Sequence, residues 1–473
     1  SVNPKSEALH PLVTCHIKHS ILIKRLLWDP NTPLEGQNFP LIFTEPNIGF
    51  FFLNLESQLL HSHCFAMSLS GPNAANTLNS GSTLGSEYLS AVENITADAF
   101  ASDKDRAEAL QATYEAIGRL ESPWETFVRI QPAVDVGVKL IKDVGLMPKW
   151  HEKSNVPMTS AQLAELVGNC DPELLLRFIR LLASNGFLEQ TPDGKFKPNR
   201  FCSELANPEF NVLTDLHYLI SGDAYRLMPE YLAERGYKNP TDPHDAVVKQ
   251  STGHTGDYWL YLRENPKRAE SFNIQMKLSA TMDPAWTDIY PPQNLVRGSD
   301  PKLPLFVDVG GGVGQDLLKL YHMYPEEASR LYLQDLGQVL ADSDAKSILP
   351  DAVNKLEYDF FTPQPVKGAR AYYLRHIIHD WQDEPAREIL RMQASAMKPG
   401  YSKLLIYNHV LPDQKCPSRA ASYDIMMMVY VCGRERTEEQ WLALVDSVGL
   451  RVTKIWKEPP GTSSVIELEI SPS

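Results

Sequence analysis

Cysteine is scarce and unpaired. The 473 residues hold six, at Cys15, Cys64, Cys170, Cys202, Cys416 and Cys432, with no CxxC pair and no Cys/His cluster. That excludes a disulfide framework and a structural zinc site, and a reducing cytoplasm is the expected setting. Long apolar runs are also missing: the most apolar N-terminal stretch, residues 39–55, is broken by Glu45, Pro46 and Asn47 and is too short to span a bilayer. Positive charge is in deficit, 45 Lys and Arg against 59 Asp and Glu, for a net charge of −14. Phosphate backbones are bound by clustered cations, so a general nucleic-acid surface is excluded as well. What remains is a chain with 43% hydrophobic residues, enough for buried cores, and a length suited to two or three domains.

Residues 1–66 show no sustained period, and a Ser, Gly and Asn-rich linker follows Met67 up to Gly85. Residues 1–85 are therefore expected to be a poorly ordered leader and linker, with the functional protein starting near Met67. From 86 to 290 apolar residues recur at helical intervals. Within this part Thr159 or Ser160 can cap one helix, and Asp171-Pro172 can open a second with a stripe of Leu174, Leu175, Phe178, Ile179 and Leu182. Gly186 ends it, and Pro192-Asp193-Gly194 turns one short strand into another, a winged-helix pattern. Acidic residues offset the arginines on its second helix, so packing or dimer formation suits it better than DNA.

From 291 to 473 strands alternate with helices, at 303–309, 330–334, 355–359, 371–378 and 403–411. The segments 450–457 and 463–470 are joined by only five residues and should pair antiparallel, which closes an α/β sheet as in class I methyltransferases. The first strand runs into Asp308-Val309-Gly310-Gly311-Gly312-Val313-Gly314, a strand-to-helix turn of the kind that meets nucleotide-type cofactors. A dinucleotide fingerprint needs a third small residue where Gln315 stands, so the spacing favours S-adenosylmethionine over NAD. Asp335, ending the next strand, can accept both ribose hydroxyls.

His379 follows the fourth strand, in the run His376-Ile377-Ile378-His379-Asp380-Trp381, at the carboxyl end of the sheet where open α/β folds hold ligands. An imidazole there can take the proton of a phenol as its oxygen attacks a sulfonium methyl. His376 reads as a strand-end residue satisfied by backbone carbonyls, and Asp380 or Asp383 as the cap of the next helix. His409 should point to the opposite face of its strand from Asn408.

The glycine loop, Asp335-Leu336, Asp359-Phe360-Phe361, His379-Asp380-Trp381, Val410-Leu411-Pro412 and Gly433-Arg434-Glu435-Arg436-Thr437 stand in one order. With them, the stretch from about residue 121 onward resembles the plant and fungal small-molecule O-methyltransferases of the caffeic acid type. The resemblance implies an α/β fold with a class I methyltransferase Rossmann-like sheet and antiparallel last strand, preceded by a mainly α winged-helix dimerisation domain. It implies that Asp308, Gly310, Gly312 and Gly314 meet the cofactor's amino acid part, Asp335 its ribose, Asp359 and Phe360 its adenine and Arg375 its carboxylate, with Leu336 a further cofactor contact. His379 is then the catalytic base, flanked by Glu435 and by Asn408, where the family more often has an acid. Asn408 is expected to accept an imidazole N–H, leaving Glu435 to carry the charge alone. Phe272, Met276 and Met427 match the family's acceptor pocket. The expected partners are an aromatic small molecule and a second copy of the chain, with no metal, nucleic acid or membrane. A nicotinamide oxidoreductase and a catalytically silent member of the fold stay open as alternatives.

Overall fold

The computed structural model describes residues 78–93, 95–341, 348–457 and 461–472. The expected leader, the start near Met67 and the linker as far as residue 77 lie outside the described residues. The end of that linker is helical instead: a helix runs over Leu78–Glu93, with Leu84, Tyr88, Leu89 and Val92 recurring at helical spacing.

In the unit Thr96–Ser473 helices come first. Thr159 caps the helix Ser160–Val167 in a reciprocal capping box with Gln162. Asp171 caps Pro172–Ser184 by accepting from the N–H groups of Glu173 at 3.0 Å and Leu174 at 2.9 Å. Leu175, Ile179 and Leu182 are fully buried, whereas Leu174, expected in that stripe, is 40% exposed. One residue along a helix is a rotation of about 100°, enough to carry it off the apolar face. Strands β1 (Leu188–Gln190) and β2 (Phe196–Pro198) form the antiparallel wing.

The main sheet contains β3 (Phe306–Val309), β4 (Leu331–Asp335), β5 (Asn354–Glu357), β6 (Ala371–Arg375), β7 (Lys403–Leu411), β9 (Leu450–Lys457) and β10 (Ser463–Ile470), with the two-residue β8 (Arg436–Thr437) beside the end of β7. Their spatial order is β5-β4-β3-β6-β7-β10-β9. The strands β3 to β7 are parallel, and β10 enters antiparallel between β7 and the edge strand β9. Alternation along each strand splits the core in two: Leu404 and Ile406 face Ile389, Leu390 and Trp441, while Leu405 and Tyr407 face Trp286, Leu317 and Leu320. Two strands are shorter than their apolar runs. Pro304 has no N–H to donate, so β3 starts at Phe306; His376 takes a left-handed φ of 51°, so β6 stops at Arg375 rather than Ile378.

Candidate active site

The loop after β3 needs its glycines. Gly310, Gly312 and Gly314 have φ values of 69°, 59° and 90°, a region L side chains rarely adopt. Space is short as well: a Cβ on Gly314 would lie 2.5 Å from Leu349, one on Gly310 2.7 Å from Ile377, and one on Gly311 2.5 Å from the Asp308 carboxyl carbon. The Gly312 N–H donates to Asp335 Oδ2 at 2.8 Å, and the Leu336 N–H donates to Oδ1 at 2.7 Å, which binds the carboxylate of β4 to the turn of β3. Burial still pushes Asp335 above the usual carboxylate range.

Asp308 is fully buried, and its Oδ2 has no hydrogen-bond partner. Burial, and then the charges of Asp316 and Asp335, drive its pKa far up. A buried acid so placed gains from a ligand that brings donors or positive charge. A buried and a half-buried carboxylate beside a glycine turn therefore fit the ammonium and ribose of S-adenosylmethionine. Phe360 borders the turn, its Cε1 3.8 Å from the Cβ position of Gly310. Asp359 accepts from the Phe361 N–H at 3.0 Å, and Leu336 is exposed. Arg375 lies 3.3 Å from Asp316 and 3.4 Å from Asp283, so two side chains already balance its charge.

His379 sits in the one-turn 3-10 helix Ile378–Asp380 beyond β6, 8% exposed. Its Nδ1 is 2.6 Å from Glu435 Oε1. Burial alone would lower its pKa, but the charges of Glu435 and Asp380 and the Glu435 hydrogen bond outweigh burial and raise it to about 9. Glu435 is lowered in turn, because the His379 charge overrides burial. Each charge of the pair favours the other.

The chain 433–436 fixes this turn. The Arg434 N–H donates to the His379 carbonyl at 2.8 Å. The fully buried Arg436 donates to the Ile378 carbonyl at 3.1 Å, to the Trp381 carbonyl at 2.8 Å and to Asp383 at 2.9 Å. Sequence reading missed Arg436, although it stands next to Glu435 in a motif already singled out.

Three expectations change. Asn408, fully buried on β7, has no partner for either amide atom, so it does not accept from His379; Glu435 already takes Nδ1. Asp380 does not cap the next helix, since Gln382 holds the cap position of Asp383–Ala394; instead its carboxylate lies 3.5 Å from His379 Nε2, raised by burial to about 7. His376 is not satisfied by carbonyls: its Nδ1 is buried without a partner and its Nε2 lies 3.6 Å from Asp283. Burial, then the Arg375 charge, lowers it to about 3. Phe272 packs edge-on against Tyr258 and Trp259 within an aromatic cluster, while Met276 and Met427 are half-buried. His409 bonds Thr462 at 2.9 Å and stacks on Tyr423, with its ring centroid 5.6 Å from that of His376.

Among the described residues no cluster of three or more potential ligands is arranged for a metal ion, and no helix is long and apolar enough to cross a membrane.

A sheet of this order, with the antiparallel β10 and a glycine turn tied to Asp335, defines the class I methyltransferase fold. The family model described as an O-methyltransferase domain matches residues 267–451. The O-methyltransferase mfmE of Annulohypoxylon moriforme is 43% identical over 385 residues, 81% of this chain and 95% of that protein. Among solved structures, one titled a pericyclic reaction enzyme has a TM-score of 0.73 at 27% identity, covering 81% of this chain and 100% of that one. LepI in complex with SAM has a TM-score of 0.71 at 26% identity, covering 84% and 100%. The chain belongs to the S-adenosylmethionine-dependent O-methyltransferases. The nicotinamide alternative falls.

Proposed function

We propose that His379 is the general base of this O-methyltransferase and that its acceptor is a hydroxyl on an aromatic small molecule. The observation that carries this reading is the His379 to Glu435 contact of 2.6 Å, which commits Nδ1 and turns Nε2, 3.5 Å from Asp380, to proton transfer. Bound S-adenosylmethionine supplies an electrophilic methyl group. The glycine loop and Asp335 would hold that cofactor, and the buried Asp308 would offset its ammonium charge. His379 Nε2 takes the acceptor's hydroxyl proton, and Glu435 stabilises the imidazolium that results. The helix Ser418–Val431, which leads to Glu435, carries the half-buried Met427 and Tyr430, soft and aromatic side chains of the kind that suit an aromatic acceptor. Incubation with cofactor labelled in the methyl group and a panel of phenols should give labelled aryl ethers by mass spectrometry. A product of unchanged methyl content, formed from a substrate that the cofactor-loaded protein rearranges, would instead favour the chemistry named for the pericyclic neighbour.

A homodimer is the second part of the proposal, with the helical region before residue 291 supplying the contact. The helices Asp103–Leu120 and Pro123–Arg129 bury no residue, and Trp124 and Ile130 are 71% and 66% exposed. Apolar patches of this kind mark interaction surfaces. Sedimentation should find a dimer that the double change Trp124→Ser and Phe127→Ser converts to monomer; a monomeric wild type overturns it.

A further inference from the structure

Three fully buried glutamines, Gln334 on β4, Gln393 on the helix Asp383–Ala394 and Gln364 between them, form one hydrogen-bonded chain. Gln334 and Gln364 exchange two amide bonds of 2.8 Å, and Gln364 Nε2 also donates to Gln393 Oε1 at 2.8 Å. Gln393 Nε2 donates to the Tyr358 hydroxyl at 3.2 Å, which donates in turn to the Thr362 carbonyl at 2.8 Å. The Val366 N–H donates to Gln364 Oε1 at 3.0 Å. None of these side-chain atoms is left without a partner. Buried amides are costly unless their bonds are made, and a completed set fixes direction as well as distance.

The chain runs between two turns. At one end the Gln334 carbonyl accepts from the N–H groups of Gly310 at 2.8 Å and Gly311 at 3.2 Å, so the residue that carries the first amide also holds the glycine turn. At the other end lies the segment after β5, which contains Asp359 and Phe360. Its start is pinned by a main-chain bond of 3.0 Å from the Tyr358 N–H to the Asp335 carbonyl. Its far side is pinned only through Thr362 and Val366, by Tyr358 and Gln364. The Thr362 N–H and hydroxyl both donate to the Asp359 carbonyl, at 2.9 and 2.6 Å, so the hold on Thr362 passes to Asp359. Phe360 Cε1 already lies 3.8 Å from the Cβ position of Gly310, so a small shift of this turn alters the space beside the glycines.

We propose that Gln364, with Gln334, Gln393 and Tyr358, is a positioning residue for the cofactor: the chain sets the turn 359–362 against the glycine turn and thereby sets the affinity for the adenosine part of S-adenosylmethionine. The inference rests on the reading that places the ribose at Asp335 and the adenine at Asp359 and Phe360. The glycine turn keeps its own bonds to the Gln334 main chain and the Asp335 carboxylate, so the end of the cofactor that carries the methyl group does not depend on the glutamine side chains.

The test uses two variants. Tyr358→Phe removes one hydroxyl and keeps the ring. The triple change Gln334→Met, Gln364→Met and Gln393→Met removes all three amides together, which costs less stability than breaking one pair and leaves the Val366 N–H as the group without its partner. Calorimetric titration should show S-adenosylhomocysteine bound about threefold more weakly by Tyr358→Phe and at least about tenfold more weakly by the triple variant, as for one and for several directed bonds. Methylthioadenosine keeps the adenosine part and lacks the amino acid part, so it should lose affinity by the same factors. In turnover with a phenol acceptor, KM for S-adenosylmethionine should rise likewise while kcat at saturating cofactor changes less than about threefold. A chain that only supports the fold would do the reverse, lowering kcat through loss of folded enzyme and leaving KM alone. The triple variant decides where it is folded, and Tyr358→Phe where it is not. Wild-type affinity for both ligands in the deciding variant, or a loss confined to S-adenosylhomocysteine, would overturn the inference. Asp335→Asn tests the underlying reading separately: it should weaken both ligands at least about tenfold. Unchanged binding by that variant would remove the cofactor placement and this inference with it.

Discussion

His379→Ala is expected to lower kcat by about 10²-fold to 10⁴-fold, the range for loss of a positioned general base, with cofactor affinity nearly unchanged. The separation is expected because the cofactor's proposed contacts, from Asp308 to Gly314 and Asp335, lie on β3 and β4, while His379 lies beyond β6. Single-turnover rates with a phenol acceptor and calorimetric titration with S-adenosylmethionine measure the two effects. A variant that transfers methyl at the wild-type rate would overturn the base assignment.

The same group sets the pH profile. The imidazole can take a proton only when it is neutral, and its pKa in the folded enzyme is raised to about 9. Below that value the neutral fraction grows tenfold for each pH unit, so kcat/KM should climb from pH 7 and level off above about 9. Glu435→Gln removes the carboxylate charge that opposes burial, so this limb should move to lower pH. Its plateau should also fall, because a neutral amide stabilises the imidazolium less. A loss of activity without movement of the limb would mean that Glu435 acts only on the fold.

The sequence made the scaffold legible because strand period and glycine spacing are local signals. Segments 403–411, 450–457 and 463–470 hold the strands read from their apolar patterns, and the glycine loop follows β3 as expected. His379 and Glu435 were legible as members of separate motifs, but not the choice between Glu435 and Asn408 at Nδ1. That choice depends on how the chain 433–436 lies against the turn 378–381, a contact between segments more than fifty residues apart. The unpaired amide of Asn408 and the left-handed turn at His376 leave no periodic trace. Asp380 was misread because an acid ahead of a helix is most often a cap, and only its burial against His379 says otherwise.

Arg436→Met should affect both stability and rate, and the two readouts distinguish positioning from simple support. The methionine fills the volume over Trp441 but leaves the Trp381 carbonyl without a donor and the Ile378 carbonyl with only the Trp381 N–H. One acceptor left unpaired costs about 1–2 kcal/mol. The Asp383 pair adds little to this, since that carboxylate is 42% exposed and solvent screens it. Denaturant unfolding at fixed protein concentration measures the loss. Lysine keeps the charge but cannot fork to two carbonyls, so Arg436→Lys should recover only part of the stability. Both carbonyls belong to the turn that carries His379, so its release should let the ring swing away from Glu435. At a temperature where Arg436→Met is still folded, kcat should therefore fall at least about tenfold and the alkaline limb should move toward the ordinary histidine value near 6.5. Cofactor affinity should change less than about threefold, because the turn after β3 is not held by this arginine. If stability falls but the pH limb stays near 9, Arg436 braces the fold without setting the base.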